Sequence, residues 1–282
     1  MTTLSWINSA EKTLSAAGIG TARLDVLVLL EDVTGKDRAW LLAHPEHELT
    51  RQQVAKLKNL LKRRAAHEPL AYLRGKTEFY GREFVLTSAV LEPRPESETM
   101  IDMLKKLPIF AAQPSARTAP VTIIDVGTGS GAIGITAQLE LPNCRVELVD
   151  IDKNCLKVVK MNVDLHTTSM SVTHSDLLTN ITLNPDVLLC NLPYVPDSYQ
   201  INEAALHEPK LAIFGGPDGL DHYRRLFQQA QKLTDGPLYI LTEALPPQHH
   251  YLAEIARHHD YIQEAREDFV QLFVRDQSDR QR

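Results

Sequence analysis

Residues 121–134 have the sequence Val-Thr-Ile-Ile-Asp-Val-Gly-Thr-Gly-Ser-Gly-Ala-Ile-Gly, an apolar run followed by closely spaced glycines. The run is typical of a buried strand, and the glycines permit a tight turn and a close approach of the backbone to a ligand. Residues 129–134 match the Gly-x-Gly-x-x-Gly fingerprint. Asp150 ends the next apolar segment about twenty residues later, where nucleotide-binding folds place a ribose-binding acid. The pattern predicts a strand, a ligand-binding loop and a helix.

Three interpretations of the glycine loop remain open. A nicotinamide dinucleotide would use the same glycines and Asp150, and a purely structural turn would bind nothing. Asp125 precedes the first glycine, and its carboxylate would crowd a pyrophosphate but suits the positive amino-acid group of S-adenosylmethionine. That molecule also has a ribose for Asp150 and no phosphate. We therefore expect S-adenosylmethionine as the cofactor, with a dinucleotide as the alternative.

A second apolar run leads into a polar turn at residues 185–194, Pro-Asp-Val-Leu-Leu-Cys-Asn-Leu-Pro-Tyr. The Asn191 side chain offers a carbonyl acceptor, the peptide carbonyls beside Pro193 offer another, and Tyr194 supplies an aromatic face for a planar amide or a nucleobase amine. These groups suit methyl transfer onto nitrogen. The simpler interpretation is an ordinary exit from a strand, stiffened by proline.

Strand-like and helix-like segments alternate from Val121 onward. Strands are predicted near 121–126, 145–150, 171–174, 185–190, 237–243 and 268–275, and helices near 131–141, 152–163, 220–234 and 247–258. Such alternation predicts an α/β fold with a doubly wound, mostly parallel sheet and a ligand crevice at the carboxyl ends of its strands. The glycine loop and the Asn191 turn both map to that edge, so they can face each other.

The first sixty-odd residues have helical periodicity instead, with Leu24, Leu27 and Val28 on one predicted face. A hairpin that turns at Gly81 follows, and a loop is predicted over 111–120. We expect a helical substrate-recognition domain over 1–75, a hairpin linker over 76–92 and a methyltransferase domain over 93–282.

Composition and charge are those of a modest intracellular enzyme. The chain has 282 residues, is 43% hydrophobic and 23% charged, and carries a formal net charge of −6. This acidity argues against a protein that binds nucleic acid mainly through contacts with its phosphates. The basic segment 56–64 could still bind an acidic partner. No apolar run is long enough to span a membrane. We expect a cytoplasmic monomer with buried, reduced cysteines, no metal site and no direct nucleic-acid partner.

The chain resembles the bacterial-type peptide-chain release-factor glutamine methyltransferases, the HemK/PrmC group, over nearly its whole length. The segments that carry the resemblance are Ala22–Asp25, Glu68–Tyr72, Glu78–Gly81, Pro93–Glu98, Asp125–Gly131, Val149–Ile151, Ser175–Asp176, the Asn191 turn and Gly215–Asp221. The resemblance implies a Rossmann-like class I methyltransferase domain with a seven-stranded sheet, and methylation of the glutamine amide in a Gly-Gly-Gln segment of release factors.

The resemblance also implies roles for single residues. Cofactor contacts are implied for Gly127, Thr128, Gly129, Ser130, Gly131, Asp150, Leu177 and Asn191. Substrate contacts are implied for Asn191, Leu192, Pro193 and Tyr194, of which Asn191 and Tyr194 are the expected catalytic residues.

One departure from the family pattern lies inside the proposed site. The family usually has two prolines after the asparagine, whereas Leu192 stands at the first position here, which keeps the carbonyl but removes the ring that fixes φ. The form Asn-Leu-Pro-Tyr also resembles adenine dimethyltransferases that act on ribosomal RNA. Because a glutamine amide and an adenine amine are both planar nitrogen donors, an RNA or DNA adenine methyltransferase is the alternative function.

Overall fold

The computed structural model describes residues 1–111 and 119–278. The chain folds as two compact units, one formed by Met1–Lys76 with Ile201–His207 and the other by Thr77–Gln200 with Glu208–Arg282. Residues 112–118 of the predicted loop lie outside the described residues. No helix in the described part of the chain is both long enough and apolar enough to cross a membrane.

The first unit is helical. Its helices are α1 (Thr3–Ala16), α2 (Ala22–Thr34), α3 (Arg38–Ala43), α4 (Arg51–Ala65) and α5 (Leu70–Arg74). Helix α4 begins with a capping box. The Gln53 backbone N–H donates to the Thr50 side chain, and the Thr50 backbone N–H donates to the Gln53 side chain. The predicted face of α2 was partly wrong: Leu27 is buried, but Leu24 is 46% exposed and Val28 is only partly buried. The fully buried side chains are Val26, Leu29 and Leu30.

Buried polar contacts add to the core of the first unit. The guanidinium Nε of Arg64 donates to Oδ2 of the buried Asp25 at 2.7 Å, which explains why an acid occupies the inner face of α2. Residues 201–207 join this unit through two contacts: His67 pairs with Glu203 at 2.7 Å, and His207 Nε2 lies 2.9 Å from the Ala66 carbonyl. The chain therefore returns to the helical unit shortly after the Asn191 turn.

A hairpin, β1 (Lys76–Phe79) and β2 (Arg82–Val85), starts at the last residue of the segment Met1–Lys76 and belongs to the second unit from Thr77 onward. It turns at Tyr80 and Gly81, with φ of 52° and 69°. Two successive positive φ angles are typical of the tight hairpin turn that suits twisted strands. The remaining helices are α6 (Glu98–Lys105), α7 (Pro108–Ala111), α8 (Ala132–Glu140), α9 (Lys153–Leu165), α10 (Asp221–Lys232) and α11 (His249–Arg257). The remaining strands are β3 (Val121–Val126), β4 (Cys144–Asp150), β5 (Ser171–His174), β6 (Val187–Cys190), β7 (Tyr239–Glu243), β8 (Tyr261–Glu267) and β9 (Val270–Arg275).

These seven later strands form one sheet in the order β5-β4-β3-β6-β7-β9-β8. Strands β5 to β7 pair in parallel, and β9 and β8 add an antiparallel edge. The predicted doubly wound, mostly parallel sheet is confirmed. The last predicted strand starts at Val270 rather than 268, because Asp268 has a positive φ of 49° in the turn after β8.

The strand order reverses between β3 and β6. Strands β4 and β5 follow β3 on one side, whereas β6 and β7 continue on the other. Alternate residues of β6 enter two different core clusters, Val187 and Leu189 in one and Leu188 and Cys190 in the other, so both faces of the sheet are covered. In such sheets the ligand crevice lies at the carboxyl ends of the strands, at the point of reversal.

Candidate active site

The glycine loop and the Asn191 turn lie side by side at the reversal point. The parallel register pairs Val126 with Cys190, so the residues that follow β3 and β6 leave the sheet together. The two loops also pack directly: a Cβ placed on Gly127 would come within 2.9 Å of Leu192 Cδ2. The φ of 70° favours glycine at 127, and a larger residue there would also displace the Leu192 side chain.

A cleft lies beside these two loops, with about 1090 Å³ of empty space when its open mouth is included. Nine of the predicted site residues line it: Gly127, Thr128, Gly129, Ser130, Asp150, Leu177, Asn191, Leu192 and Pro193. Gly131 and Tyr194 are not among the lining residues. Gly131 instead begins α8 with φ of 85°, where a Cβ would lie 2.9 Å from Ile135.

Asp125 lies beneath the glycine loop instead of in the cleft. The side chain is 1% exposed, and its Oδ2 accepts hydrogen bonds from Thr128 Oγ1 at 2.5 Å and Gly134 N at 2.9 Å. Burial raises the pKa of this carboxyl to about 6, against the lowering effect of both hydrogen bonds. Asp125 therefore stabilises the loop through these hydrogen bonds. Its carboxylate does not line the cleft, so the loop lies between its negative charge and a bound ligand.

Asp150 occupies the predicted position at the end of β4 and faces the cleft. It is 8% exposed; Oδ2 accepts from Gly129 N at 3.0 Å and Oδ1 from Asp152 N at 2.9 Å. Burial raises the pKa of the carboxyl, and the two backbone hydrogen bonds oppose that rise. Each carboxylate oxygen can accept a second hydrogen bond, so Asp150 can fix the glycine loop and still hold a diol.

The far end of the cleft combines apolar and acidic side chains. Ile151 is 48% exposed and lines the cleft together with Leu177, whose φ of 52° is rare for a branched residue. The Ser175 hydroxyl, which donates to the Leu177 carbonyl at 2.7 Å, supports this backbone conformation. Two apolar side chains beside an acid suit a flat base attached to a ribose.

The electrostatics of the cleft favour a cationic ligand over a phosphorylated one. Asp150, Asp152 and Asp176 line it, and among the described lining residues Arg225 alone carries a guanidinium or ammonium group. Arg225 pairs with Asp176 at 2.5 Å, so its positive charge is partly offset. Burial also lowers the pKa of His222 and favours its neutral form.

Two residues outside the predicted site, Ser97 and Glu243, hold the Asn191 turn. Ser97 Oγ donates to Glu243 Oε2 at 2.6 Å and accepts from Asn191 Nδ2 at 2.9 Å. Tyr194 donates its hydroxyl to Glu243 Oε1 at 3.0 Å. Ser97 and Glu243 are both 1% exposed, so a buried carboxylate fixes both ends of the turn.

Leu192 is anchored by a contact that a proline could not make. Its amide N–H donates to the Tyr223 hydroxyl at 3.3 Å, and that hydroxyl donates to the Glu243 carbonyl. This bond replaces part of the rigidity that a proline ring would give. Among the described residues, neither Oδ1 of Asn191 nor the Leu192 carbonyl receives a hydrogen bond, so both acceptors remain available.

Backbone from a later loop supports the turn from behind. A Cβ on Gly215 would lie 2.3 Å from the Pro193 carbonyl, and one on Gly219 would lie 2.0 Å from the Tyr194 carbonyl. The Gln248 side chain donates to the same Tyr194 carbonyl at 2.8 Å. Only residues without a side chain fit there, which gives a physical reason for the glycines of segment 215–221.

Comparisons with known proteins agree with this geometry. Residues 5–75 match the PrmC N-terminal domain and residues 107–208 match the methyltransferase small domain. A release factor glutamine methyltransferase of Koribacter versatilis is 36% identical over 235 residues, which cover 81% of each chain. One of Coxiella burnetii is 32% identical over 226 residues, 79% of each chain.

Two further similarities are more distant or partial. A bifunctional methyltransferase of Rickettsia bellii is 30% identical over 91% of this chain, which spans only 51% of that protein. Among solved structures, the hMettl16 catalytic domain in complex with a MAT2A 3'UTR hairpin has a TM-score of 0.54 at 13% identity, over 82% of this chain and 83% of that one. At this identity the likeness concerns the fold alone.

The parallel sheet with its reversal of strand order, the glycine loop and the acidic cleft define a class I methyltransferase that uses S-adenosylmethionine. The similarity to the Koribacter and Coxiella proteins extends over both units. The chain belongs to the release factor glutamine methyltransferase family.

Proposed function

We propose that this chain transfers the methyl group of S-adenosylmethionine to the side-chain amide nitrogen of a glutamine, in the Gly-Gly-Gln segment of a peptide-chain release factor. The observation that carries this proposal is the pair of free acceptors, Asn191 Oδ1 and the Leu192 carbonyl, beside the cofactor cleft. A primary amide has two N–H donors in one plane. Two acceptors can therefore bind one such group.

Residues of the cleft fit the cofactor in chemistry and in charge. Asp150 would hold the ribose hydroxyls, and Ile151 and Leu177 would flank the adenine. The backbone of residues 127–131 would approach the methionine portion, with Gly131 acting by setting the start of α8. When bound, S-adenosylmethionine supplies an electrophilic methyl group on a positively charged sulfur.

The catalytic problem is that an amide nitrogen is a weak nucleophile, because its lone pair is delocalised into the carbonyl. Asn191 Oδ1 and the Leu192 carbonyl would each accept one N–H, which fixes the nitrogen and increases its electron density. Positioning of this kind is the main source of rate enhancement proposed here. Methylation leaves the nitrogen with an acidic proton that solvent can take, so no side chain has to act as a general base.

Tyr194 is proposed to contribute through its aromatic ring. The hydroxyl is committed to Glu243, and burial, with Glu243 nearby, raises the pKa of the phenol well above its usual range. Tyr194 is therefore neutral and cannot act as a base. Its ring, next to Pro193, can pack on the plane of the substrate amide.

The helical unit of residues 1–76 and 201–207 is proposed to recognise the protein substrate. The methyltransferase unit contains the cleft and both acceptors, so chemistry does not require the helical unit. Activity as a cytoplasmic monomer is part of the proposal.

The test is incubation of the protein with purified release factor and S-adenosylmethionine labelled in its methyl group, followed by mass mapping of the modified peptide. We expect one added methyl group on the glutamine of the Gly-Gly-Gln segment. A release factor with that glutamine replaced by alanine is the control and should stay unlabelled.

The alternative acceptor, adenine in RNA or DNA, is tested in the same assay. The Asn-Leu-Pro-Tyr form of the turn is the feature that supports it. Transfer to adenine of RNA or DNA, with no label on the release factor, would overturn the proposed substrate while leaving the methyltransferase class intact.

A further inference from the structure

Asn191 can serve as an acceptor only if its amide group points the right way. The side chain has a carbonyl on one side and an NH₂ group on the other, and a rotation of 180° about the last side-chain bond exchanges them. If the Asn191 carbonyl points toward the substrate, it can accept a substrate amide N–H. If the Asn191 NH₂ group points toward the substrate instead, two N–H donors face each other and no hydrogen bond forms. Some neighbour must decide between these orientations.

The neighbour of Asn191 is the hydroxyl of Ser97, which can either donate or accept. Here it donates its one hydrogen to Glu243 Oε2 at 2.6 Å. Its oxygen can then only accept from Asn191, and it does so from Nδ2 at 2.9 Å. The polarity of the contact is therefore set at Glu243, because an ionised carboxylate is an acceptor only.

Tyr194 is subject to the same control from the other carboxylate oxygen. Its hydroxyl donates to Glu243 Oε1 at 3.0 Å, which holds the ring at the end of the turn. Glu243 is the last residue of β7, the strand next to β6 in the sheet. A single side chain on a rigid strand thus reaches both functional residues of the turn.

We propose that Glu243, acting through Ser97, is a positioning residue that holds the Asn191 carbonyl toward the substrate amide. The inference rests on the proposed function, since it explains how the acceptor pair of that function is oriented. Glu243 itself is not among the described residues that line the cleft.

The first experiment replaces Glu243 by glutamine. A glutamine side chain places an NH₂ donor where one carboxylate oxygen was, and if that donor faces Ser97 the hydroxyl must donate to Asn191, which reverses its amide. We expect Glu243→Gln to lower kcat by roughly 100-fold, the effect of losing one positioned catalytic group, with KM and donor Kd within about threefold. A kcat within twofold of wild type would overturn the proposal.

Ser97 supplies a pair of matched variants. Ser97→Thr keeps the hydroxyl and should retain most of the wild-type kcat, whereas Ser97→Ala removes the oxygen that accepts from Asn191 Nδ2 and should lose a large part of it. Equal kcat values for these two variants would contradict a relay through this hydroxyl.

The pH profile separates positioning from mere support of the fold. Burial raises the pKa of Glu243, Glu96 adds to the rise, and hydrogen bonds from Ser97, Tyr194 and Asn191 oppose it. Tyr223 donates to its backbone, and Arg94 lies near Tyr194. Below its folded pKa the carboxyl gains a proton, becomes a donor and loses control of Ser97. At saturating donor, kcat should fall with falling pH in wild type and be flat in Glu243→Gln.

Glu208 offers a second buried carboxylate as a control. Its side chain is 2% exposed and pairs with Arg94 at 2.6 Å, without a hydrogen bond to Asn191 or Ser97. In Glu208→Gln, kcat should still fall with falling pH, as it does in wild type. Loss of that fall in Glu208→Gln as well would assign the pH effect to general destabilisation and refute the role of Glu243.

A measurement without substrate distinguishes failure of this inference from failure of the proposed function. The side-chain NH₂ of Asn191 can be assigned in ¹⁵N spectra by comparison with Asn191→Ala. We expect its chemical shift to change in Glu243→Gln and Ser97→Ala but not in Glu208→Gln, whatever the acceptor molecule is. An unchanged Asn191 resonance in all three variants would reject the relay, whereas absence of glutamine methylation by wild type would reject only the proposed substrate.

Discussion

Replacement of Tyr223 by phenylalanine tests how the turn keeps its shape without a second proline. The side chain is fully buried, its hydroxyl accepts from Leu192 N at 3.3 Å and donates to the Glu243 carbonyl, and it lies 3.1 Å from the Cys190 carbonyl. Phenylalanine leaves the Leu192 N–H and the Glu243 carbonyl unpaired. Each buried, unpaired group costs about 1–3 kcal/mol, so the two together should destabilise the methyltransferase unit by about 2–6 kcal/mol in Tyr223→Phe.

A second substitution isolates the contribution of the Leu192 N–H. Leu192→Pro has no N–H to leave unpaired, so it should be better tolerated in the Tyr223→Phe background than in wild type. We expect a coupling free energy of about 1 kcal/mol in the double-mutant cycle. The assay is urea unfolding followed by far-UV circular dichroism, with methyl transfer measured in parallel. Both tryptophans, Trp6 and Trp40, lie in the helical unit, so fluorescence reports that unit as an internal control. Strictly additive effects would refute the role given to the hydrogen bond.

Further predictions concern the cofactor and the acceptor. Asn191→Ala should lower kcat by about 100-fold with near-normal donor affinity by calorimetry; undiminished turnover would remove its catalytic role. Asp150→Ala should weaken donor binding by about tenfold or more, equivalent to at least 1.4 kcal/mol, and an unchanged Kd would exclude the ribose contact. Gly127→Ala should reduce activity, because of its φ of 70° and because the added Cβ would lie 2.9 Å from Leu192 Cδ2. Adding Leu192→Ala to this variant should relieve only the steric contact and leave the backbone strain. The pKa of Asp125 is raised to about 6, and a bound cation favours the ionised form of this carboxyl. Binding of the donor should therefore release a proton from Asp125, and the donor should bind more tightly as pH rises through 6. Calorimetry in two buffers of different ionisation enthalpy measures this release, which Asp125→Asn should abolish.

The same pKa shift has a consequence for stability with the opposite pH dependence. The folded state favours the protonated form of Asp125, so its contribution to the free energy of unfolding is largest below the unfolded value of 3.8 and is lost as pH rises through about 6. Stability and donor affinity should therefore change in opposite directions across this range.

Much of the fold could be predicted because the parallel strands are short apolar runs that end in recognisable polar residues. The glycine loop, Asp150 and Asn191 each follow such a run, and parallel strands bring their carboxyl ends to one edge. Strand β8 was not predicted because it is polar: most of Tyr261–Glu267 is exposed, and the strand forms by pairing with β9 at the edge. Its place in the sheet depends on a partner, not on local pattern.

The roles of the supporting residues could not be found from the sequence, although Ser97 lies in the segment Pro93–Glu98 that carries the family resemblance. Ser97 lies 94 residues from Asn191 and 146 residues from Glu243 in the chain, so no spacing rule links them. Tyr223 lies on the buried face of α10, and only the fold brings its hydroxyl to Leu192. Residues 201–207 likewise gave no sign that they belong with the helical unit.

The central claim is that two oxygens at the end of β6 bind the amide to be methylated. The most direct measurement is a crystal structure with S-adenosylhomocysteine and a Gly-Gly-Gln peptide bound. We predict the glutamine amide nitrogen at about 3 Å from both Asn191 Oδ1 and the Leu192 carbonyl, on the side of the cofactor sulfur. A glutamine amide bound elsewhere in the cleft, or an Asn191 NH₂ group facing it, would contradict the account.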